Sequence, residues 1–204
     1  LSSAASDVYK RQRQDMSSAM ALDLTARRNL ELTETLRNKE KKGSLLWVLD
    51  STRTSMGKRL LKSYIEQPLT SPARIINRLE AVEQFVKNPV VLMETGDILE
   101  RVYDIERLMT RVMYKTATPR DLKSLSLTSL QLPLLKEQLK KLSGSKLIKS
   151  LESSISTLEE ISGLVENAII DEPPVSVKDG GVIRDGFNEG LDELRHVMTS
   201  GKDI

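Results

Sequence analysis

The chain has 204 residues, of which 39% are apolar, 29% charged and only 3% aromatic, and this length supports one domain with a substantial core. Its 31 lysines and arginines against 29 aspartates and glutamates give a net charge of +2, which excludes a general basic field for nucleic acid. The lack of cysteine excludes disulfides and thiol chemistry, and the short apolar runs exclude a membrane span of the ~20 residues that a bilayer needs, so we expect a cytoplasmic protein.

The first segment, residues 1–19, is polar and has no apolar period. We therefore predict that it is a disordered or non-native tail. Its basic run of Lys10, Arg11 and Arg13 could contact nucleic acid. Short charge runs are more often solvated, however, and a solvated tail is our interpretation.

A capped helix is expected from Asp23, and the region 43–69 then divides into two helices. Ser44 is placed to cap the first of them. Pro68 ends the second, because the residue before a proline is pushed out of the α region. We expect both apolar faces to be buried, with the single tryptophan, Trp47, as a core anchor.

Two further helix starts are marked by proline. Ser71-Pro72 and Thr118-Pro119 each place a capping residue before a proline at the first helical position. Between them, helices are expected over 89–101 and from Asp104, and Pro133 should kink or divide the helix that begins at Pro119. The predicted inner face of the helix after Ser71 consists of Ile75, Ile76, Leu79, Val82, Phe85 and Val86.

The longest regular apolar pattern begins at Ser145. Its members alternate at spacings of three and four, and they are Leu147, Leu151, Ile155, Leu158, Ile161 or Ser162, Val165 and Ile169. This pattern predicts one continuous amphipathic helix of about 25 residues, packed against an earlier helix.

The pattern changes at 171–174, where Asp-Glu-Pro-Pro ends the helix. Valine and isoleucine residues on either side of Gly180-Gly181 predict a small β-hairpin with a glycine turn. A last helix should begin near Asn188. The predicted fold class is therefore all-α, a helical bundle with one small β-hairpin near the C-terminal end.

Several segments resemble one known family, in that family's order. Those that resemble the core (lever) domain of the MutS family of DNA mismatch-repair ATPases are LDLTARRNLELTETL at 22–36, GSLLWVLDSTRTSMGKRLLKSYIEQPL at 43–69, DIERL at 104–108 and ATPRDL at 117–122. Those that resemble the hairpin and helix leading into the family's DNA clamp are DEPP at 171–174, DGGVI at 179–183 and LDELR at 191–195. Tyr64, Phe187 and Gly190 depart from the family pattern in ways that are compatible with packing.

The resemblance implies a helical core/lever section at 20–170, a hairpin connector at 171–187 and the truncated start of a clamp helix at 188–204. It implies one section of a longer bacterial protein, a homodimeric ATPase that uses ATP and Mg²⁺ and binds mismatched double-stranded DNA. A MutL-type partner and a nucleoid-associated cytoplasmic location are implied as well. In that family the lever couples the nucleotide state to clamp closure, whereas the mismatch-reading and nucleotide-binding motifs lie outside this sequence. We therefore expect no enzymatic activity and no cofactor in this chain.

No catalytic, cofactor or metal site is predicted from the residues themselves. His196 is the only histidine, so catalytic triads and multi-histidine metal sites lack partners. Gly57-Lys58 and Gly201-Lys202 both lack the upstream glycine and the following hydroxyl of a phosphate-binding loop. Gly180-Gly181 fits turn geometry better than a phosphate cradle.

Charged and aromatic side chains leave the DNA-binding residues unassigned. An acidic and basic cluster could be an acid site, but its i,i+3 and i,i+4 spacing predicts surface ion pairs, and its members are Asp104, Glu106, Arg107 and Arg111. Arg27-Arg28 and Lys58-Arg59 could contact phosphate, yet neither joins a longer basic stripe with aromatic residues. Trp47 and Tyr64 are interpreted as core anchors rather than a base-stacking platform.

A second hypothesis is a stand-alone helical interaction scaffold without nucleic-acid binding. The lever hypothesis is preferred because the last helix would present Leu191, Leu194 and Met198 with no partner sequence after it, as expected for one section of a longer protein. A recombination-suppressing relative of MutS is a weaker variant, because such proteins lack the clamp whose entry 191–195 resembles.

Overall fold

A computed structural model describes residues 19–200 of the chain, and the regular structure there is helical. We number the helices α1 (Leu24–Asn29), α2 (Leu45–Leu49), α3 (Ser55–Glu66), α4 (Pro72–Lys87), α5 (Pro89–Glu100), α6 (Ile105–Met113), α7 (Pro119–Lys140), α8 (Lys146–Ser154), α9 (Glu159–Ala168) and α10 (Glu189–Ser200). One 3₁₀ turn lies at Val177–Asp179. Within the described residues, every helix is too short or too polar to cross a membrane.

Side-chain caps fix several of the helix starts that the sequence predicts. Asp23 and Ser44 each accept a hydrogen bond from the backbone N–H three residues on, at 2.6 and 3.2 Å. Thr118 and Asp121 form a reciprocal capping box at the start of α7, with N–H to side-chain distances of 2.9 and 3.2 Å. These caps satisfy backbone donors that would have no partner inside the helix.

The helix α7 continues through Pro133, so the proline does not divide it. A proline inside a helix removes one backbone hydrogen bond and crowds the preceding turn. Here the turns on both sides of it are held by burial, since Ser129, Leu132 and Leu139 are all buried. Tertiary packing therefore outweighs the local cost.

The described chain divides into two compact units. The first consists of the described residues up to Leu92 together with Leu142–Ser150. Backbone hydrogen bonds from Leu45 to Glu31 and from Leu46 to Leu32, at 3.0 and 2.9 Å, attach α2 to the preceding loop. The buried apolar side chains of this unit are Leu32, Leu46, Ala81, Val91, Leu142 and Ile148.

Two burial predictions for this unit are wrong. The predicted inner face of α4 is exposed except for Phe85, which is half-buried, and the buried member of the helix is Ala81 on the opposite side. Trp47 is 49% exposed and is not a core anchor. Tyr64 is partly buried beneath the Arg78 guanidinium, which lies 3.7 Å from the ring centre. Periodicity identifies an apolar face, but it does not determine what that face contacts.

The second unit consists of Met93–Lys141 and the described residues from Leu151 onward. Its centre is α7, which packs against α6 on one side and α9 on another. The buried apolar side chains are Leu108, Leu125, Leu132, Leu139, Val165 and Ile169. Three serines, Ser126, Ser129 and Ser162, are buried with them.

The predicted long helix over 145–169 is wrong, because the structure breaks it into α8 and α9. The interruption follows a sequence rich in serine and threonine, residue types that favour helix ends over helix interiors. The carbonyl oxygen of Ile155 accepts a hydrogen bond from Lys136 Nζ at 3.3 Å. Leu158 then adopts the left-handed conformation, with φ 54° and ψ 30°, immediately before α9.

The predicted β-hairpin is also wrong, since the described residues contain no β-strand. Gly180-Gly181 does form a turn with positive φ, but the preceding arm is the 3₁₀ turn. The returning chain forms a single antiparallel bridge between Ile169 and Ile183. A physical reason is Pro173-Pro174, which directly precedes the predicted first arm and has no N–H with which a ladder could continue back toward α9.

Candidate functional site

The candidate residues that the sequence singled out do not assemble into a reactive site. Asp104 caps α6 and lies 3.4 Å from Arg107 Nε, while Arg111 contacts Asp121 of α7 at 2.6 Å. Glu106 is exposed on α6, and its backbone carbonyl accepts a hydrogen bond from Thr110 Oγ1 at 2.7 Å. Among the described residues, no group of three or more histidine, aspartate or glutamate side chains is arranged to hold a metal ion.

The glycine and basic candidates among the described residues either make contacts that stabilise local structure or lie exposed. The N–H of Gly57 donates to the capping hydroxyl of Thr54 at 2.9 Å, and Lys58 lies 3.5 Å from Asp50. Arg27 donates to the backbone carbonyl of Leu22 at 3.1 Å. Other candidates lie exposed, namely Arg28 on α1, Arg59 on α3 and His196 on α10. The remaining ones, Lys10, Arg11, Arg13 and Gly201-Lys202, lie outside the described residues.

A network of polar side chains in the second unit lies where the chain leaves α9. We call it the polar clasp, and it consists of Arg120, Lys123, Ser126, Ser162, Glu166, Asp171 and Arg184. Its central side chain is Lys123 on α7, which is only 11% exposed. The ammonium nitrogen of Lys123 lies 2.8 Å from Glu166 Oε2 and 3.5 Å from Asp171 Oδ1. One buried cation thus joins α7 both to α9 and to the segment that follows α9.

Serine hydroxyls complete the buried side of the clasp. Ser126 Oγ donates to Glu166 Oε1 at 2.8 Å and lies 3.2 Å from Ser162 Oγ. Ser129 Oγ donates to the carbonyl oxygen of Ser126 at 2.7 Å. Because buried polar groups are costly without partners, this network fixes one register between α7 and α9.

The exposed side of the clasp holds the connector, which in the structure comprises residues 169–187, beginning two residues before the 171–187 expected from the sequence. Arg184 Nη2 donates to Asp171 Oδ1 at 2.8 Å and to the carbonyl oxygen of Ile169 at 3.2 Å. Arg120 Nε donates to the carbonyl oxygen of Pro173 at 3.0 Å. The two arms of the connector are therefore attached to each other through Arg184 and to α7 through Arg120 and Lys123.

The clasp shifts the titration of its two carboxylates in the same direction. The hydrogen bond from Lys123, reinforced by that from Ser126, lowers the pKa of Glu166 below its usual value. The hydrogen bond and charge of Arg184 lower the pKa of Asp171. Both groups are therefore ionised at neutral pH, and the clasp is a set of charge-assisted contacts.

Ser126 donates to Glu166, but the lowered pKa of Glu166 makes it a weak base and the Ser126 hydroxyl is fully buried, so the arrangement is suited to holding the connector in place. Sequence reasoning did not find it. Two signals were present: serines at positions 126, 129 and 162, within otherwise apolar helix patterns, and Lys123 beside Leu122 and Leu125. Lys123 and Glu166 are 43 residues apart in the sequence, so a local pattern cannot show that they form a pair.

Comparison of the sequence with models of known protein families identifies the family of this chain. Residues 25–200 match the family model for MutS domain III. The chain belongs to the MutS domain III family. Both the clasp and the break between α8 and α9 lie inside the matched residues, as do the segments at 104–108 and 117–122 whose resemblance the sequence indicated.

Bacterial relatives agree with this membership. The chain is 49% identical over 184 residues to the DNA mismatch repair protein MutS of Ruminiclostridium cellulolyticum, which is 90% of this chain and 21% of that protein. It is 47% identical to MutS of Halothermothrix orenii and 48% identical to MutS of Acetivibrio thermocellus, again over 90% of this chain. The chain spans about a fifth of the length of these MutS relatives.

Proposed function

We propose that this MutS domain III chain is part of a DNA mismatch repair protein, in which it couples the nucleotide state of an ATPase region to the closing of a clamp on mismatched double-stranded DNA. The observation that carries the proposal is the match to relatives named DNA mismatch repair protein MutS, at 42–49% identity over most of this chain. The alternative is the stand-alone helical scaffold described above.

The proposal extends to the partners of the longer protein. On this proposal, the longer protein acts in the bacterial cytoplasm, associated with the nucleoid, as a homodimer that works with a MutL-type partner. ATP and Mg²⁺ bind outside the described residues, since Gly57-Lys58, which lies within them, does not have the pattern of a phosphate-binding loop. This chain has no enzymatic role of its own.

The polar clasp supports the mechanical part of the proposal. Coupling between distant sites needs elements that move as bodies and hold discrete arrangements. Lys123 and Arg120 attach the connector to α7, and Ser126 sets the register of α7 against α9 through Glu166. A displacement of α7 would therefore be transmitted to the connector, which on this proposal leads into the clamp.

A chimera tests the proposal. The matching region of Ruminiclostridium cellulolyticum MutS is replaced with residues 20–200 of this chain, and mismatch-dependent ATPase and retention on an end-blocked mismatched duplex are measured. We expect both activities to be retained. In the same chimera, Lys123→Met should reduce the ATP-dependent change in DNA retention about fivefold or more, a loss within the usual range of allosteric coupling.

The matched control is Lys141→Met, which removes a lysine from the exposed contact between Lys141 and Glu94 in the same unit. It should leave the coupling unchanged. A folded chimera that binds no DNA and hydrolyses no ATP would overturn the proposal and favour the scaffold alternative. Equal effects of the two lysine variants would overturn the role of the clasp while leaving the mismatch-repair assignment intact.

A further inference from the structure

The break between α8 and α9 interrupts a sequence pattern that is continuous. Leu151, Leu158 and Val165 are spaced by seven residues, and Ile155 and Ser162 lie between them at the intermediate positions. In one uninterrupted helix this pattern would form a single stripe. In the structure the stripe is divided: Ser162 and Val165 are buried, whereas Leu151 is exposed.

The break is held in a conformation that is locally unfavourable. Leu158 occupies the left-handed region, which leucine rarely adopts because its Cβ crowds the following carbonyl. It is also the N-cap of α9, where no side chain accepts a hydrogen bond from the first turn. Serine, threonine, aspartate and asparagine provide that bond at favourable N-caps. The cap at Leu158 therefore does not stabilise the break.

Contacts from α7 hold the break instead. Lys136 Nζ donates to the Ile155 carbonyl, a group that a continuous helix would use for its own backbone bond, at 3.3 Å. The same nitrogen lies 3.9 Å from Glu152 Oε1 in the last turn of α8. Ser154 Oγ donates to the carbonyl of Leu151 at 2.8 Å, within the last turn of α8. The Lys136 bond would compete with the backbone bond to the Ile155 carbonyl if the segment became helical.

We propose that segment 155–158 is a conformational switch between the broken helix and one continuous helix through Leu151 and Val165, with Lys136 holding the broken form. The continuous form regains the backbone hydrogen bonds of the interrupted turn and releases Leu158 from the left-handed region. The broken form retains the Lys136 contacts. Such an element has two discrete arrangements whose balance a single side chain biases. The inference does not depend on the proposed function.

Hydrogen exchange on the 204-residue chain tests the switch, with amides 156–160 as the readout, because the N–H of Ile155 already donates to the carbonyl of Leu151 at 3.2 Å. In the native chain these amides should exchange quickly, because the broken form leaves the turn open. The double variant Lys136→Met with Leu158→Ala removes the latch and replaces leucine with the best helix former. We expect exchange at 156–160 to slow at least tenfold and helical ellipticity to increase, while the amides of α7 keep their protection.

Leu158→Gly is the matched control, since glycine occupies the left-handed region freely and is unfavourable inside a helix. It should keep the broken form, with fast exchange at 156–160 even when Lys136 is replaced by methionine. Unchanged exchange in the alanine double variant, with α7 still protected, would overturn the proposal. If that variant does not fold, relaxation dispersion of amides 155–159 in the native chain replaces it: millisecond exchange that Leu158→Gly abolishes is expected, and its absence overturns the switch.

Discussion

Lys123 shows how one charged residue can occupy the interior of a helix pair. A buried ammonium is unfavourable unless it is paired, and Lys123 is paired with Glu166 and Asp171. Removing one partner of such a pair costs more than the pair itself contributes, because the other charge stays partly desolvated. Glu166 is the side chain that would be left in this position, although its 39% exposure moderates the effect.

We predict that Lys123→Met lowers the free energy of unfolding of the second unit by about 1–3 kcal/mol. Lys141→Met, at the exposed contact with Glu94, should cost less than ~1 kcal/mol. Urea denaturation followed by amide protection within α7 measures both. Adding Glu166→Met to Lys123→Met should recover part of the loss; no recovery would show that the effect of Lys123 is not electrostatic.

Thr118 offers a second prediction for a single residue. Its hydroxyl accepts the N–H of Asp121, and the Asp121 carboxylate accepts both the N–H and the hydroxyl of Thr118. Thr118→Val keeps the shape and removes the cap, so we expect a loss of about 1 kcal/mol. Thr118→Ser keeps the hydroxyl and should be nearly neutral. Equal losses in the two variants would contradict the cap as the cause.

The connector illustrates how an element without regular secondary structure is held. Its two arms share one antiparallel bridge, in which the N–H of Ile170 donates to Val182 at 3.1 Å and that of Arg184 to Ala168 at 2.8 Å. Two such bonds do not make a stable ladder. The side chain of Arg120, bonded to the carbonyl of Pro173, attaches the connector to α7 from outside.

We therefore predict that Arg120→Ala loosens the connector without unfolding the helices. The amides of Ile170 and Arg184 should exchange about fivefold faster, the effect of losing one hydrogen bond of ~1 kcal/mol. Lys140→Ala, at an exposed position of the same helix, should leave their exchange unchanged. Exchange rates that do not respond to Arg120→Ala would show that the bridge holds itself.

At the level of the whole molecule, four carboxylates respond to folding in the same direction. Lys41 and Thr52 lower the pKa of Asp50, Lys123 lowers that of Glu166, and Arg184 lowers that of Asp171. The fourth is Asp121, where burial alone would raise the pKa, but the hydrogen bonds from Thr118 and the charge of Arg111 together lower it. In each case the unfolded chain binds the proton more tightly than the folded chain.

The sign of the pH dependence follows from this difference. Because the unfolded chain binds more protons, the free energy of unfolding rises with pH between the lowered pKa values of the folded chain and those of the unfolded chain, which are about 4. Above the unfolded pKa values the contribution of these carboxylates is complete. We predict that the urea midpoint is constant from pH 7 to about 5 and falls progressively below that. Denaturation at pH 7, 5, 4 and 3 measures it. A midpoint that rises on acidification would contradict the lowered pKa values.

Much of this protein can be predicted from its sequence. The helix starts at Asp23, Ser44 and Thr118 depend on hydrogen bonds to backbone groups only three residues away, so a local pattern contains them. The helical fold class has the same local origin. Family membership also followed from sequence, through extended motifs such as 43–69, and the match over residues 25–200 confirms it.

Tertiary structure alone decided which faces are buried and which polar groups meet. Ala81 rather than the apolar stripe faces inward on α4, and the helix pattern around Leu158 is broken by a contact from Lys136. The clasp joins Lys123 to Glu166 across 43 residues of sequence. Periodicity and capping are properties of neighbouring residues, whereas burial and ion pairing depend on residues that only folding brings together.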